Sequence, residues 1–437
     1  MVQSVASVFK QFFYKMEPSR DAIFRSGGLA LIHCWLISTD YFESLHCKKI
    51  DRRKARKIKY RISEIIPFII LHILDGDKRI SHYDRNPNKA LFLKLFKWNK
   101  TPSQSTVLKT LQRNPALSRV LNHFLLRSCV DDIIRFCNKN KLKKITIDVD
   151  QTAREIHGKQ QGVEKGYSAG KRNSNLYQIR VYAVREMKQT LRVRLMSGNT
   201  HSSFHFLSEV RLIAKMLKKS GITGVFVGDS GFEVGAVCDY LHENNHEFIF
   251  AVPKRKEVKR RGKYSKNKKQ HDSGKIQIKE RKRPATNKFR HEYREIYVQV
   301  LSSDGQAWFD FVADYFTNVF VTNMTCSALK VYRSYKKHAV IETIIEELKN
   351  DFGAGLAHGD DFKLNSMMTT CSGIAYNIKN RFLIESGLTQ QDGVKIKLST
   401  FQNMWLHTPG EIIKRSNRFI LKIAPNRFEQ YNKILAA

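Results

Sequence analysis

The chain has 437 residues, 42% of them hydrophobic and 11% aromatic, enough to bury cores for two or three domains and to exclude a disordered polypeptide. Its 77 Lys and Arg against 40 Asp and Glu leave a formal net charge of +37, whose self-repulsion a polyanion would relieve, so nucleic acid is the expected partner. The most apolar runs, Leu29–Ile37 and Ile62–Leu74, fall short of the roughly 18 residues that cross a bilayer, which sets a membrane span aside.

Residues 1–140 read as an all-α N-terminal DNA-binding domain, with apolar residues at helical spacing in Ile62–Leu74, Ala90–Phe96 and Val120–Phe136. Met1–Phe13 shows no secretory pattern, and the seven cysteines include no Cys-x-x-Cys, so reduced thiols in a cytoplasm are expected. The segment from Arg52 and Arg53 to Arg61 is dense in cations and is a candidate for phosphate contacts. Thr101–Val107 has the pattern of a helix start; an ordinary capped helix is its simpler reading.

From Lys141 the texture changes to strands. The β-branched run Ile145–Asp150 alternates with polar residues, and period-2 geometry puts Asp148 and Asp150 on one face. Two carboxylates beside apolar neighbours call for a cation or a hydrogen-bond network; solvated aspartates at a strand end are the plainer alternative. Further strands are expected near 176–186, 190–197, 224–229 and 247–252, with a helix over 202–219 and another after Gly231. That order is that of an RNase H-like core over 141–252, an α/β mixed sheet with helices on both faces, and it ends one apolar strand on Asp229. His201 and His205 have no third ligand at metal-site spacing and read as solvated or capping residues, and His33, His46 and His72 as lone core or surface histidines.

Residues 253–323 read as an inserted basic and β-rich subdomain. Over 253–285 there are 15 Lys and Arg, among them Lys254, Arg255, Arg260 and Arg261, against three acidic residues, a density that suits a phosphate-tracking arm better than a solvated loop. Trp308 lies between two expected strands, where burial is its simplest reading. The core resumes over 324–390, and 391–437 is a basic C-terminal segment. At about 100° per residue, Val340, Ile341, Ile344, Ile345 and Leu348 share one face of a helix. Tyr335, His338, Glu342, Glu346 and Lys349 form the opposite stripe, which suits either surface pairing or a third metal carboxylate with phosphate ligands beside it.

Tyr335-x2-His338-x3-Glu342-x6-Lys349 resembles the Tyr-x2-Arg-x3-Glu-x6-Lys signature of DDE transposases from bacterial insertion sequences, in the superfamily containing groups 4 and 1380. The 1380 group is similar in the same order at Asp148–Thr152, His157-Gly158-x-Gln160, Gly198-Asn199, Asp229–Phe232, Thr322-Asn323, Ile341-Glu342 with Leu348-Lys349, and Ala375–Asn377. The likeness spans roughly residues 60–425, with spacings of 79 and 113 residues from Asp150 to Asp229 and on to Glu342.

The resemblance implies that Asp150, Asp229 and Glu342 are the catalytic, metal-binding acids, with Asp150 preferred to Asp148 by its place before x-Thr. It implies two divalent cations, Mg²⁺ with Mn²⁺ as a substitute, and Tyr335, His338 and Lys349 on the end phosphate. Asp148 is left for a supporting role, and Trp308 for stacking on a displaced base. His338 stands where the family has arginine, which exchanges a permanent guanidinium for a titrating imidazole. The implied activity is metal-dependent cleavage at transposon ends and strand transfer into target DNA, by a homodimer on paired terminal inverted repeats in a bacterial cytoplasm at the nucleoid. An inactive DNA-binding derivative and an RNase H-like nuclease without transfer are the alternatives.

Overall fold

A computed structural model of the chain describes residues 4–21, 23–46, 51, 53, 58–168, 171–253, 269–271, 276–301, 315–385 and 396–436. Apolar spacing makes the first third helical, as expected: α1 (Val5–Phe12), α2 (Gly28–Ser38), α3 (Ile62–Asp75), α4 (Lys89–Leu95), α5 (Gln104–Gln112) and α6 (Leu117–Asn140). Ser103 starts α5 by accepting the Thr106 backbone N–H, the cap that Thr101–Val107 announces.

This third is not purely helical. β1 (Lys15–Pro18) runs parallel to β13 (Arg418–Ile423), which pairs antiparallel with β12 (Gly410–Arg415), so the two ends of the chain share a small sheet. A strand of four residues has too few alternations to stand out in a sequence, and its pairing partner lies some 400 residues away. Gly28 lets α2 meet the C-terminal segment, because a Cβ there would stand 2.0 Å from the Trp405 carbonyl oxygen.

The main sheet has the expected core. β2 (Lys144–Glu155) pairs antiparallel with β4 (Lys171–Val184), which carries β5 (Gln189–Ser197) and, beyond a hairpin, β3 (Glu164–Ser168). On its other side β2 runs parallel to β6 (Thr223–Gly228), followed by β7 (Glu247–Ala251). The order β5-β4-β2-β6-β7, antiparallel then parallel, is that of an RNase H-like sheet.

Ile145, Ile147 and Val149 bury one face under α6, α7 (Phe206–Lys219) and α8 (Gly235–Glu243). On the opposite face lie α10 (Val340–Asn350) and α11 (Phe362–Glu385), in one apolar core with the N-terminal helices. The inserted strands extend this same sheet: β11 (Tyr315–Thr322) joins β7, followed by β10 (Tyr293–Leu301), β9 (Ile276–Arg283) and β8 (Lys269–His271). Helix α9 (Ala328–Lys336) covers the extension through Val331 and Tyr332. The chain closes with α12 (Leu398–Phe401), β12, β13 and α13 (Pro425–Ala436).

One expectation fails in detail. Tyr335–Lys349 is not a single helix, because a 3-10 turn over Lys337–Ala339 separates α9 from α10. Neither Gly nor Pro marks the break; α9 packs on the strands of the extension through Val331 and Tyr332, and α10 on β2 and β4.

Candidate active site

The last paired rung between β2 and β6 is Val149 with Gly228, so Asp150 and Asp229 are the next residues on adjacent parallel strands. Strand spacing puts their backbones about 5 Å apart. Asp229 is exposed and caps a short turn, its Oδ1 accepting the Gly231 N–H at 3.0 Å. Glu342 is exposed on the first turn of α10, which packs on β2 and β4.

The Asp150 carboxyl is pushed up to about 6 by burial, opposed by the Gln151 backbone N–H, and raised further by Asp229 and Glu342 against a lowering by His338. Asp229 and Glu342 thus both lie near enough to act on Asp150. Glu346, one turn on, instead faces the exposed Lys397 Nζ at 4.0 Å.

Asp148, on the same strand face, has the opposite surroundings. Its buried carboxylate accepts from Arg185 Nε at 2.8 Å and Nη2 at 2.5 Å, and lies 2.8 Å from His338 Nδ1. Arg185 also donates to the Ser334 carbonyl at 2.8 Å, fastening the end of α9 to the sheet. The Tyr335 ring is half-buried 4.4 Å from that of Phe320, and its phenol is pushed up to about 12 by burial and then by Asp229, Asp150, Asp148 and Glu342. Lys349 is turned inward: its Nζ donates to the Ala153 carbonyl at 2.6 Å and Thr152 Oγ1 at 3.2 Å, and burial lowers its pKa.

A second layer on the other face escaped sequence reasoning. Fully buried Arg180 donates to the Ser202 and Phe204 carbonyls at 2.7 and 2.9 Å and to Gln151 Oε1 at 3.3 Å. Ser202 Oγ donates in turn to the Gly231 carbonyl at 2.7 Å, so Arg180 braces the turns that present Asp150 and Asp229. Its only signal in the sequence is an arginine inside the apolar run Leu176–Val184.

The donors Asp150, Asp229 and Glu342 are all carboxylate oxygens, the set that hard divalent cations take, and a cation there would relieve the raised Asp150. Among the described residues no group of three or more His, Cys, Asp or Glu side chains is placed to hold a metal ion. His201 bonds Ser203 at 2.8 Å and His205 stands at the start of α7 with φ of 56°, outside any such cluster among the described residues. His33 and His72 are buried core histidines.

Of the expected DNA contacts, Arg52, Lys254, Arg255, Arg260, Arg261 and Trp308 lie outside the described residues. The Arg53 guanidinium is taken up by Asp51 at 2.6 and 2.8 Å, Thr110 Oγ1 at 3.1 Å and the Tyr60 carbonyl at 2.6 Å. It braces a cleft of about 380 Å³ lined by Lys59, Lys100, Lys109, Arg113 and the Ser103 and Thr106 hydroxyls at the start of α5. No helix among the described residues is long and apolar enough to cross a membrane.

No curated protein matches the chain. Among solved structures, the piggyBac transposase synaptic complex with hairpin DNA is similar at 11% identity over 92% of this chain and 79% of that one, with a TM-score of 0.42. The Mos1 transposase paired-end complex with left transposon end is similar at 12% identity over 50% of this chain and 66% of that one, with a TM-score of 0.17. The family model described as transposase DDE domain group 1 matches residues 24–435, nearly the whole sequence, and the chain therefore belongs to that family of DDE transposases.

Proposed function

We propose that this transposase cuts DNA at transposon ends and joins the freed ends to target DNA with the help of Mg²⁺ held by Asp150, Asp229 and Glu342. The observation that supports the reading is that Asp150 and Asp229 follow the last paired rung of adjacent parallel strands while Glu342 opens the helix packed on β2, with the Asp150 carboxyl pushed up to about 6 by burial and, to a smaller extent, by Asp229 and Glu342. A divalent cation bound there supplies activation of the attacking oxygen and stabilisation of the leaving one.

The chain's own residues do the positioning. Asp148 fixes the His338 ring through Nδ1, leaving Nε2 for an end-phosphate oxygen at the position where the family has a guanidinium. Tyr335, whose phenol stays protonated at neutral pH, donates to the same phosphate. Lys349 braces β2 beside Asp150 and reaches the phosphate only by giving up its bonds to Thr152 and Ala153. The cleft between Arg53 and Arg113 holds backbone phosphates of the transposon end, and the basic arm from Lys254 holds the flank. A homodimer on paired ends, membership of the 1380 group within the insertion-sequence 4 superfamily, and action at a bacterial nucleoid complete the reading, supported by the motif series and the charge of +37.

The test is cleavage in Mg²⁺ of duplexes carrying the DNA that flanks this reading frame. Asp150→Asn, Asp229→Asn and Glu342→Gln are each expected to lower cutting by at least ~10³-fold while duplex binding survives, since each removes an oxygen donor acting mainly in the transition state. Cutting that survives Asp150→Asn but not Asp148→Asn would overturn the assignment on β2. Nicked product without joined product would reduce the protein to a nuclease.

A further inference from the structure

Away from the acids, on the α7 side of the sheet, β5 forms an edge strand, and Arg192 and Arg194 sit on it two residues apart and so on one face. Across the ladder Arg194 stands opposite Arg180, and Arg192 opposite Tyr182. Like charges directly opposite repel. One carboxylate answers their charge: buried Glu209 of α7 accepts from Arg180 at 2.8 Å, from Tyr182 Oη at 2.7 Å and from Arg194, with Arg192 Nε at 3.4 Å.

Three guanidiniums on one carboxylate leave two positive charges without compensation in a largely buried place. Arg192 Nε, although near Glu209, is a buried donor that makes no hydrogen bond. Water is a poor remedy for charge, and a fixed anion is a good one.

The surroundings are shaped for that anion. Arg192 and Arg194 open into a cleft of about 780 Å³ between the first half of α6, the edge of β5 and the start of α11. Exposed Arg119, His123 and Lys363 rim it, and not one of its lining residues is acidic. Among the described residues none of these three side chains has an acidic partner. Ser118, Asn122 and Ser366 add neutral polar groups of the kind that meet phosphate oxygens.

We propose that this cleft is a second DNA surface, separate from the acids and from the Arg53–Arg113 cleft, and that it seats the sugar-phosphate backbone of a duplex independently of sequence. Arg192 and Arg194 lie at its floor, and Arg119 and Lys363 grip successive phosphates at its rim. The proposal rests on the reading that the protein handles DNA, but not on the cutting chemistry. Duplex DNA is favoured over a membrane surface because the positive charge lies in a concave slot and not on an amphipathic face.

The experiment measures binding of the full chain to a mixed-sequence 40-base-pair duplex, without metal, across a range of salt. Removing one cation from a phosphate should flatten the slope of log affinity against log salt by about 0.9. Arg119→Gln with Lys363→Gln is expected to flatten it by about 1 to 2 and to weaken an unrelated duplex equally. The charge-keeping pair Arg119→Lys with Lys363→Arg should retain the slope, as should Lys139→Gln in the last turn of α6 with Lys143→Gln just before β2. An unchanged slope in the folded Arg119→Gln, Lys363→Gln protein overturns the cleft, as does tighter binding of duplex RNA than of DNA.

The two readings fail separately. A wild-type chain that binds with a steep slope but never cuts discredits the catalytic reading alone, whereas cutting abolished by Asp150→Asn beside an unchanged cleft slope discredits the cleft alone.

Discussion

The two faces of strands β2 and β4 carry opposite errors of charge. On one, Asp150, Asp229 and Glu342 gather negative charge, and burial, helped by that charge, pushes Asp150 up to about 6. On the other, Arg180, Arg192 and Arg194 gather positive charge that Glu209 only partly answers, and burial followed by Arg194 and Arg180 outweighs that carboxylate in lowering the Arg192 pKa. Neighbouring Asp148 shows what a balanced site looks like, with a guanidinium and an imidazole bonded to one buried carboxylate. Imbalance of this sort costs stability in the free protein and marks where a partner of opposite charge is taken up. One sheet thus offers a place for a cation and a place for an anion.

The contrast between the faces breaks most visibly if the single carboxylate is removed from the basic side. Glu209→Gln leaves three guanidiniums buried without an anion, and a loss of about 3–5 kcal/mol is expected in denaturant unfolding of the DNA-free chain. Added duplex should restore more stability to this variant than to the wild type if the cleft takes up phosphate.

Removing a carboxylate from the acidic side should do the reverse. Asp150 has a folded pKa raised from 3.8 to about 6, so its contribution is lost as pH rises through that window and is fully absent above it. Asp150→Asn is therefore expected to stabilise the metal-free chain by up to about 3 kcal/mol at pH 8, with no gain at pH 3.5, while abolishing cleavage. Equal stability of the two proteins at pH 8 would show that burial and the neighbouring acids put no penalty on the Asp150 carboxylate. The smallest effect sharpens the boundary: Glu346→Gln, one turn from Glu342 on exposed surface beside Lys397, should change stability by less than about 0.5 kcal/mol and leave cutting intact.

The acidic side is the legible one. Alternation in Ile145–Asp150 and the apolar strand ending on Asp229 carry their own geometry, because a strand's period fixes which side chains share a face. The core strand order follows from the same patterns. The basic side is hidden, since Arg180, Arg192, Arg194 and Glu209 are scattered over strands and a helix whose pairing sets their meeting. A charged residue in an apolar run announces that it needs a partner, not which one. Arg185 on Asp148 and the turn over Lys337–Ala339 are equally silent, both being decided by how α9 and α10 lie on the sheet. Arg53 shows the converse, a cation in a basic run whose bonds all lead inward.

The pairing of β1 with β13 has a bearing on how the chain is made. Lys15 is translated some 400 residues before its rung partner Ile420. At ~5–20 residues per second, β1 waits on the order of 20–80 seconds with its sheet partner unmade. The nascent helical layer must therefore stay out of trouble with an open strand edge and an unfilled contact beside Gly28, which Trp405 closes only after more than 370 further residues. Pro18 and the flanking charges Lys15 and Glu17 are the kind of residues that keep such an edge from recruiting another chain while it waits.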